Sequence, residues 1–385
     1  MTFDLSLLPP MQVADRVGRL RERLPEAGCD GLLVTSLTNI RYLTGFSGSA
    51  ALLLVAPDEL LFVTDGRYRD QATEQLAAAG VDARIEIGRT SDEQRDHLAG
   101  PGAAVGRLGL EAEHVSWAQV RRFGADWFPQ AQLVPTDGLV EELRQVKDEG
   151  EIARIEAAAA MADEALERVR PRLAEGPTEA EVALELESHM RRLGAEGPSF
   201  DTIVASGPNG AKPHHRAGAR RIAEGDLVVI DFGALVDGYH SDMTRTVVVG
   251  EPSPTQARML EVVTAAQAAG VAAVGEGVEA AAVDETCRSV IRDAGWEGAF
   301  LHGTGHGVGL DIHEAPRVSA TADATLACGH VVTVEPGVYL PEHGGVRVED
   351  TVVVTPDGCR PLTRAPKGPE LSVQGRATDA ASARS

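Results

Sequence analysis

The stretch Leu227–Val248, LVVIDFGALVDGYHSDMTRTVV, decides how the rest of the chain is read. Two apolar, β-branched runs flank Val236-Asp237-Gly238, the composition of a β-hairpin closed by a tight turn. With Asp237-Gly238 at the turn, Asp231 lies opposite Thr244, and Asp242 lies two residues from Thr244 on the same strand. Side chains alternate with period two, so both aspartates leave one face as diagonal neighbours, roughly 7 Å apart at Cα. Two carboxylates on one face repel, and burying either one unpaired costs several kcal/mol. A positive group belongs between them, and a pair of divalent metal ions meets that need.

The pattern recurs further along. The segment from Gly176, GPTEAEVALELESHMRRLGAEG, matches GVEAAAVDETCRSVIRDAGWEG from Gly277, with Gly176/Gly277, Val182/Val283, Gly194/Gly295 and Gly197/Gly298 at equivalent places. A further helical segment precedes each copy, near 148–173 and 254–274. A hairpin follows each, and the second, VVTVEPGVYLPEHGGVRVEDTVVV, carries Glu335 and Glu349. Two half-domains of helix, helix and hairpin imply a pseudo-twofold with four carboxylates at its centre. Their combined charge is enough to hold two divalent ions. Histidines supply the other ligands: FLHGTGHGVGLDIHEAP holds His302, His306 and His313, and its glycines let the backbone pass close to a metal or substrate. Oxygen donors with an imidazole suit Mn, Co, Fe or Zn. A phosphate-loop reading of Gly303 and Gly305 lacks the strand-to-helix setting that motif requires.

Upstream, the chain alternates strand and helix signals: a helix over 14–28, strands in CDGLLVTS, SAALLLVA and ELLFVTD, and a helix from about Arg67 to Ala79. VGRLGLEA, SWAQVRRFGADW and AQLVPT continue the alternation, which indicates an α/β domain over residues 1–140. The sequence EELRQVKDEGEI then reads as the start of a long helix. The second domain is read over 141–371, and 372–385, rich in Ala, Ser and Arg, reads as a disordered tail.

Composition narrows the function. With 385 residues, 43% hydrophobic and 24% charged, the chain has the make-up of a soluble two-domain protein. Its 36 basic and 58 acidic residues give a net charge of −22, which disfavours nucleic acid and anionic membrane surfaces as partners. Cys29, Cys287, Cys328 and Cys359 are scattered without CxxC spacing, as reduced thiols are. No leader pattern and no apolar run of ~18 residues is present. The expected setting is the cytoplasm.

The motifs resemble those of the pita-bread metallopeptidases, in particular the proline-directed branch of aminopeptidase P and prolidase. The resemblance covers nearly the whole chain and implies a creatinase-type N-terminal domain followed by an α+β pita-bread domain. IDFGALVDGYHSDMTRT implies Asp231 and Asp242 as metal ligands, GTGHGVGLDIHEAP implies His306 as a ligand and His313 as a catalytic histidine, TVEPGVYL implies Glu335, and GGVRVEDT implies Glu349 with Arg347 beside it. SGPNGAKPHH resembles the segment that supplies a substrate histidine, aligned with His214, although His215 follows at once. On this resemblance Asp231 chelates one metal, Asp242 and Glu349 bridge both, and His306 and Glu335 complete the second. Manganese is the preferred metal, with Zn, Co and Fe as alternatives. His214, His313 and Glu335 are the expected catalytic groups. His214, His302 and Arg347 are expected around the substrate.

The implied reaction is hydrolysis of the bond before a proline at position two of a peptide, by an enzyme expected to be a homodimer. A metal-free peptide-binding module of the same fold is disfavoured because all five ligands are present. Creatinase-like amidine hydrolysis does not keep that ligand set, and methionine aminopeptidases normally lack the N-terminal domain. The expectation is an aminopeptidase that removes the first residue from longer peptides, since only Arg347, Lys212 and Arg216 offer themselves as traps for a dipeptide's carboxylate and YLTGFSGS near the start is of the small aminopeptidase type. The alternative is a dipeptidase restricted to Xaa-Pro.

Overall fold

The computed structural model describes residues 3–369, and the segment 372–385, read above as a disordered tail, lies outside the described residues. The chain forms two compact units, Pro9–Glu151 and a second that takes Ile152 onward together with the stretch up to Leu8. The division comes later than the boundary read near Val140, and the single long helix read there is two. Helix Leu139–Gln145 ends where Val146 turns extended, and helix Glu149–Val169 starts afresh. Asp148 and Glu151 make the restart, because each backbone N–H donates to the other's carboxylate at 2.9 Å, a reciprocal cap. Arg16, itself buried, pairs with both carboxylates and keeps this junction in the first unit.

The first unit is built on β1 (Gly31–Val34), β2 (Ala51–Val55), β3 (Leu60–Thr64), β4 (Arg84–Ile87), β5 (Arg107–Glu111) and β6 (Gln132–Thr136), in the sheet order β4-β3-β2-β1-β5-β6. The pairs β1–β2 and β2–β3 are antiparallel and the other three parallel. The interior strands β1 and β3 are buried along their whole length, as their unbroken apolar runs require.

The second unit begins with β7 (Gly197–Pro198), β8 (Ile203–Ser206), β9 (Leu227–Phe232), β10 (Ala234–Val236), β11 (Tyr239–His240) and β12 (Met243–Val248). Its second half holds β13 (Gly305–Gly307), β14 (Glu314–Val318), β15 (Val331–Val334), β16 (Gly337–Leu340), β17 (Gly344–Arg347), β18 (Asp350–Thr355) and β19 (Gly358–Pro361). Both long hairpins change sheet halfway. In the first, β9 and β12 pair next to β8, whereas β10 and β11 join β7 in another sheet. In the second, β15 and β18 lie inside a five-stranded sheet of order β14-β13-β15-β18-β19, and β16–β17 form a separate pair.

The register is the one expected from the turn. Thr244 lies opposite Asp231, and Val236 opposite Tyr239. Asp237 and Gly238 both take positive φ, at 47° and 73°, as a two-residue type I′ turn demands. Of the matched helices, Glu179–Leu193 is capped by Gly194 and Ala280–Asp293 by Ala294 just before Gly295, and both repeated glycines take positive φ. Each half carries its own core: Met161, Leu186 and Met190 pack with Ile230 and Phe232, and Val263, Val283 and Ile291 with Val332 and Val352. Each such side chain contributes about 1.5–3 kcal/mol on burial. Among the described residues no helix is long and apolar enough to cross a membrane.

Candidate metal centre

Every carboxylate of the centre lies at or within one residue of the place where a ribbon changes sheet. Asp231 is next to last in β9, Asp242 directly precedes β12, Glu335 directly follows β15, and Glu349 directly precedes β18. The pairs Val334↔Asp350 and Gly337↔Arg347 keep one register across the break and so set Glu335 opposite Glu349. The ribbons lock together at the same level: Glu349 N donates to Thr244 O at 3.1 Å, and Thr351 Oγ1 to Asp242 O at 2.8 Å.

His306 enters from β13. Its backbone N–H donates to Thr333 Oγ1, and Nδ1 faces Gly307 O at 3.0 Å, which leaves Nε2 with its lone pair. That Nε2 stands 3.5 Å from both Asp242 Oδ2 and Glu335 Oε1. The ligand atoms of Asp242, His306 and Glu349 lie within 4.8 Å of one another, and all three residues are buried. Asp231 Oδ1 and Glu349 Oε1 are buried without a hydrogen-bond partner. Burial, reinforced by the neighbouring carboxylates, pushes Asp242 and Glu349 far above the ordinary carboxylate range and Glu335 up to about 8. Burial also pushes His306 down to about 4, toward the neutral imidazole a metal needs. Crowded anions, orphaned oxygens and a free imidazole lone pair fit divalent metal.

The cavity over these groups has a volume of about 350 Å³, and His214, His302, His313, Arg317 and Arg347 contribute to its walls. All the site residues expected from the sequence therefore meet at one place, but two hold different partners than their expected roles suggest. His302 has both ring nitrogens engaged, Nε2 with Tyr339 Oη at 2.7 Å and Nδ1 with Gly303 O at 2.8 Å. It meets the cavity with its ring and not with a spare donor. Arg347 spends its guanidinium on Asp231, Thr244 Oγ1 and Tyr339 Oη, so it is a counter-charge to the carboxylates. His215 turns away to Glu179 at 2.8 Å, which leaves His214 as the cavity-lining member of that pair. His313 stacks edge-on against His306, ring centroids 4.3 Å apart.

Arg317 escaped the sequence reading. It lies on β14, four residues after His313, with Pro316 and Val318 buried on either side and its own side chain exposed toward the cavity. Strand alternation in EAPRVS was the available signal. The glycines around His306 also serve a different purpose from the one expected: a Cβ on Gly305 would sit 2.0 Å from Thr333 O, and one on Gly307 2.4 Å from Ala315 O. They admit neighbouring strands, not a metal. A second ligand-like group, Glu111, His114 and Glu141 in the first unit, is a satisfied hydrogen-bond network with Asn39, Thr35 and Ser36.

A carboxylate-and-imidazole metal centre between two repeated half-domains defines a metallohydrolase of the pita-bread class. Residues 153–356 match the metallopeptidase family M24, and residues 16–146 the Creatinase/Prolidase N-terminal domain; the chain belongs to that metallopeptidase family. It is 37% identical to a Xaa-Pro dipeptidase of Pyrococcus furiosus over 91% of its own length and 98% of that protein's. A solved Xaa-Pro dipeptidase from Bacillus anthracis superposes with a TM-score of 0.86 at 39% identity, covering 92% of this chain and 98% of the other. An X-Pro aminopeptidase from Thermotoga maritima gives 0.82 at 35%, covering 91% and 99%. The chain is thus a metallopeptidase of family M24 that carries the Creatinase/Prolidase N-terminal domain.

Proposed function

We propose that this enzyme hydrolyses Xaa-Pro dipeptides. The observation that carries the reading is Arg317, a cation on the cavity wall for which the described residues provide no ion pair, on the same cavity as the carboxylate centre. A dipeptide places its free carboxylate one residue beyond the cleaved bond, within a cavity of this size, and a guanidinium is the group that pairs with a carboxylate best. Relatives carrying the dipeptidase name at 36–39% identity support it. The open-ended aminopeptidase expected from the sequence rested on the lack of such a trap and on the small-aminopeptidase character of YLTGFSGS.

Asp231, Asp242, His306, Glu335 and Glu349 would hold two divalent ions, manganese ahead of Zn, Co and Fe. Bound there, such ions lower the pKa of water toward neutrality and polarise the scissile carbonyl. The chain's own groups do the rest. His313 and His214 face the carbonyl and the proline ring, and His313 donates a hydrogen bond to the oxygen that gains charge. Glu335 can carry a proton on its carboxylate to the proline nitrogen, which lacks an N–H and must be protonated to leave. Arg347 pairs with Asp231 and orients it, and Arg317 receives the product-side carboxylate.

A second reading, cleavage of longer peptides, has one observation in its favour: a neighbouring groove of about 480 Å³ shares Ile203 and His214 with the catalytic cavity and offers room for further residues. The two separate on one comparison. A Xaa-Pro dipeptide should exceed both its C-terminal amide and the matching Xaa-Pro-Xaa tripeptide in kcat/KM by ~10-fold or more, the worth of one charge-assisted hydrogen bond, and Arg317→Met should erase the difference. A tripeptide cleaved as well as the dipeptide sinks the proposal.

A further inference from the structure

Helix Glu179–Leu193 begins with a carboxylate sealed from solvent: Glu179 is 0% exposed, yet it is no part of the metal centre. Oε1 accepts from Ser206 N at 2.8 Å, Ser206 Oγ at 2.7 Å and Asn209 Nδ2 at 3.0 Å. Oε2 accepts from His215 Nε2 at 2.8 Å and Gly218 N at 3.2 Å. Burial raises the pKa of this carboxyl, and the donors more than reverse that, so it stays charged. Ser206 ends β8, and Asn209, His215 and Gly218 belong to the loop that follows. One carboxylate therefore grips both ends and the middle of the segment that carries His214 to the cavity.

The same loop is held from its other side. Arg347 Nη1 faces Pro213 O at 3.5 Å, and Gly345 lies so close to Gly210 that a Cβ would meet its carbonyl oxygen at 1.9 Å. The second half repeats the device with different residues. Asp284, likewise 0% exposed on the matched helix Ala280–Asp293, accepts from Thr304 N at 3.0 Å and pairs with Arg288 at 2.6 Å. Arg288 in turn donates to the carbonyls of Phe300 and His302. In each half a buried carboxylate on the second helix fastens a histidine-bearing segment.

We propose that Glu179 is a positioning residue for His214: through His215 and the backbone of 206–218 it fixes that imidazole against the bound substrate. The inference rests on the proposed role of His214 as a substrate-facing group. It predicts coupling. A purely structural carboxylate lowers activity by the same factor whatever residue stands at 214, whereas a positioning carboxylate loses its effect once the imidazole is gone.

The test is a double-mutant cycle on the metal-loaded, full-length enzyme with a Xaa-Pro dipeptide. Glu179→Gln keeps the volume but turns an amide NH₂ toward groups that are themselves donors. It should lower kcat/KM by about 10-fold or more in the native background and by less than about twofold in the His214→Ala background. Metal content should be unchanged in both. His215→Gln, whose amide still offers an N–H to Glu179, should retain most activity, and His215→Leu should reproduce Glu179→Gln; should the glutamine variant not fold, His215→Leu replaces it in the cycle. Equal losses in both backgrounds, or loss of metal, overturn the proposal. Failure of the underlying function shows separately, as native enzyme that cleaves no proline peptide, and the proposal then falls with it.

Discussion

Asp242 is buried between Asp231, Glu349, Glu335 and His306, and its carboxylate is an acceptor whose charge the metal requires. Asp242→Asn keeps the volume and removes the charge. Changes to groups that merely support ligands cost 10–100-fold, so this substitution should lower kcat/KM by at least ~10²-fold, with elemental analysis showing fewer metals per chain and circular dichroism unchanged. Native turnover at full metal occupancy contradicts the assignment. His313 differs in kind. It packs edge-on against His306, and among the described residues no hydrogen bond joins it to the proposed ligands. Its loss should act on the transition state, lowering kcat by ~10²–10³-fold as removal of an oxyanion donor does, with metal content intact. Metal loss from His313→Ala, with none from His306→Ala, means that the two roles are exchanged.

At the scale of elements, what the sequence made legible was whatever obeyed period and turn chemistry. Asp237-Gly238 set the register that puts Thr244 opposite Asp231, and the repeated glycines marked the ends of equivalent helices. Helix Ser91–Ala104 is hard to read from sequence because Gly100, Pro101 and Gly102 argue against it, although Thr90 accepting from Glu93 N is a sound start signal. The division of each ribbon between two sheets was also hidden, since it depends on which neighbouring strand each half meets. That division positions the ligands, and close backbone approach permits it. Gly305→Ala is the direct check. Its Cβ would lie 2.0 Å from Thr333 O and push β13, with His306, away from β15. The expected result is a protein that keeps its helical signal but binds metal at least ~10-fold more weakly, the lower end of the cost of a disturbed ligand support. Unaltered metal affinity by titration calorimetry refutes it.

Over the whole molecule, the pseudo-twofold was readable from the repeated segments, whereas Arg317 and Glu179 were not: one is a lone arginine in a short strand, the other one of several glutamates in a capped helix. Their meaning comes from residues distant in sequence. The same holds for the energetic balance of the second unit, which closes its two halves over mutually repelling carboxylates. A carboxyl whose pKa rises on folding stabilises the fold below its ordinary value, near 4–4.5, and loses that contribution as pH climbs through the folded value. For Glu335 the window ends at about 8, and Asp242 and Glu349 shift in the same direction. Metal-stripped protein should therefore become less stable as pH rises from about 5 to 8 on account of these groups. Bound divalent metal replaces the protons as counter-charge, and its advantage is greatest where protons are scarce. At pH 8 and metal ~100-fold above its Kd, the loaded protein should melt about 5 °C or more above the stripped one. By pH 5.5 the gap should shrink to a fraction of that. Calorimetric scans of chelator-treated and reloaded protein at both pH values decide the matter, and a gap that widens as pH falls rules out a carboxylate centre as the place where the metal binds.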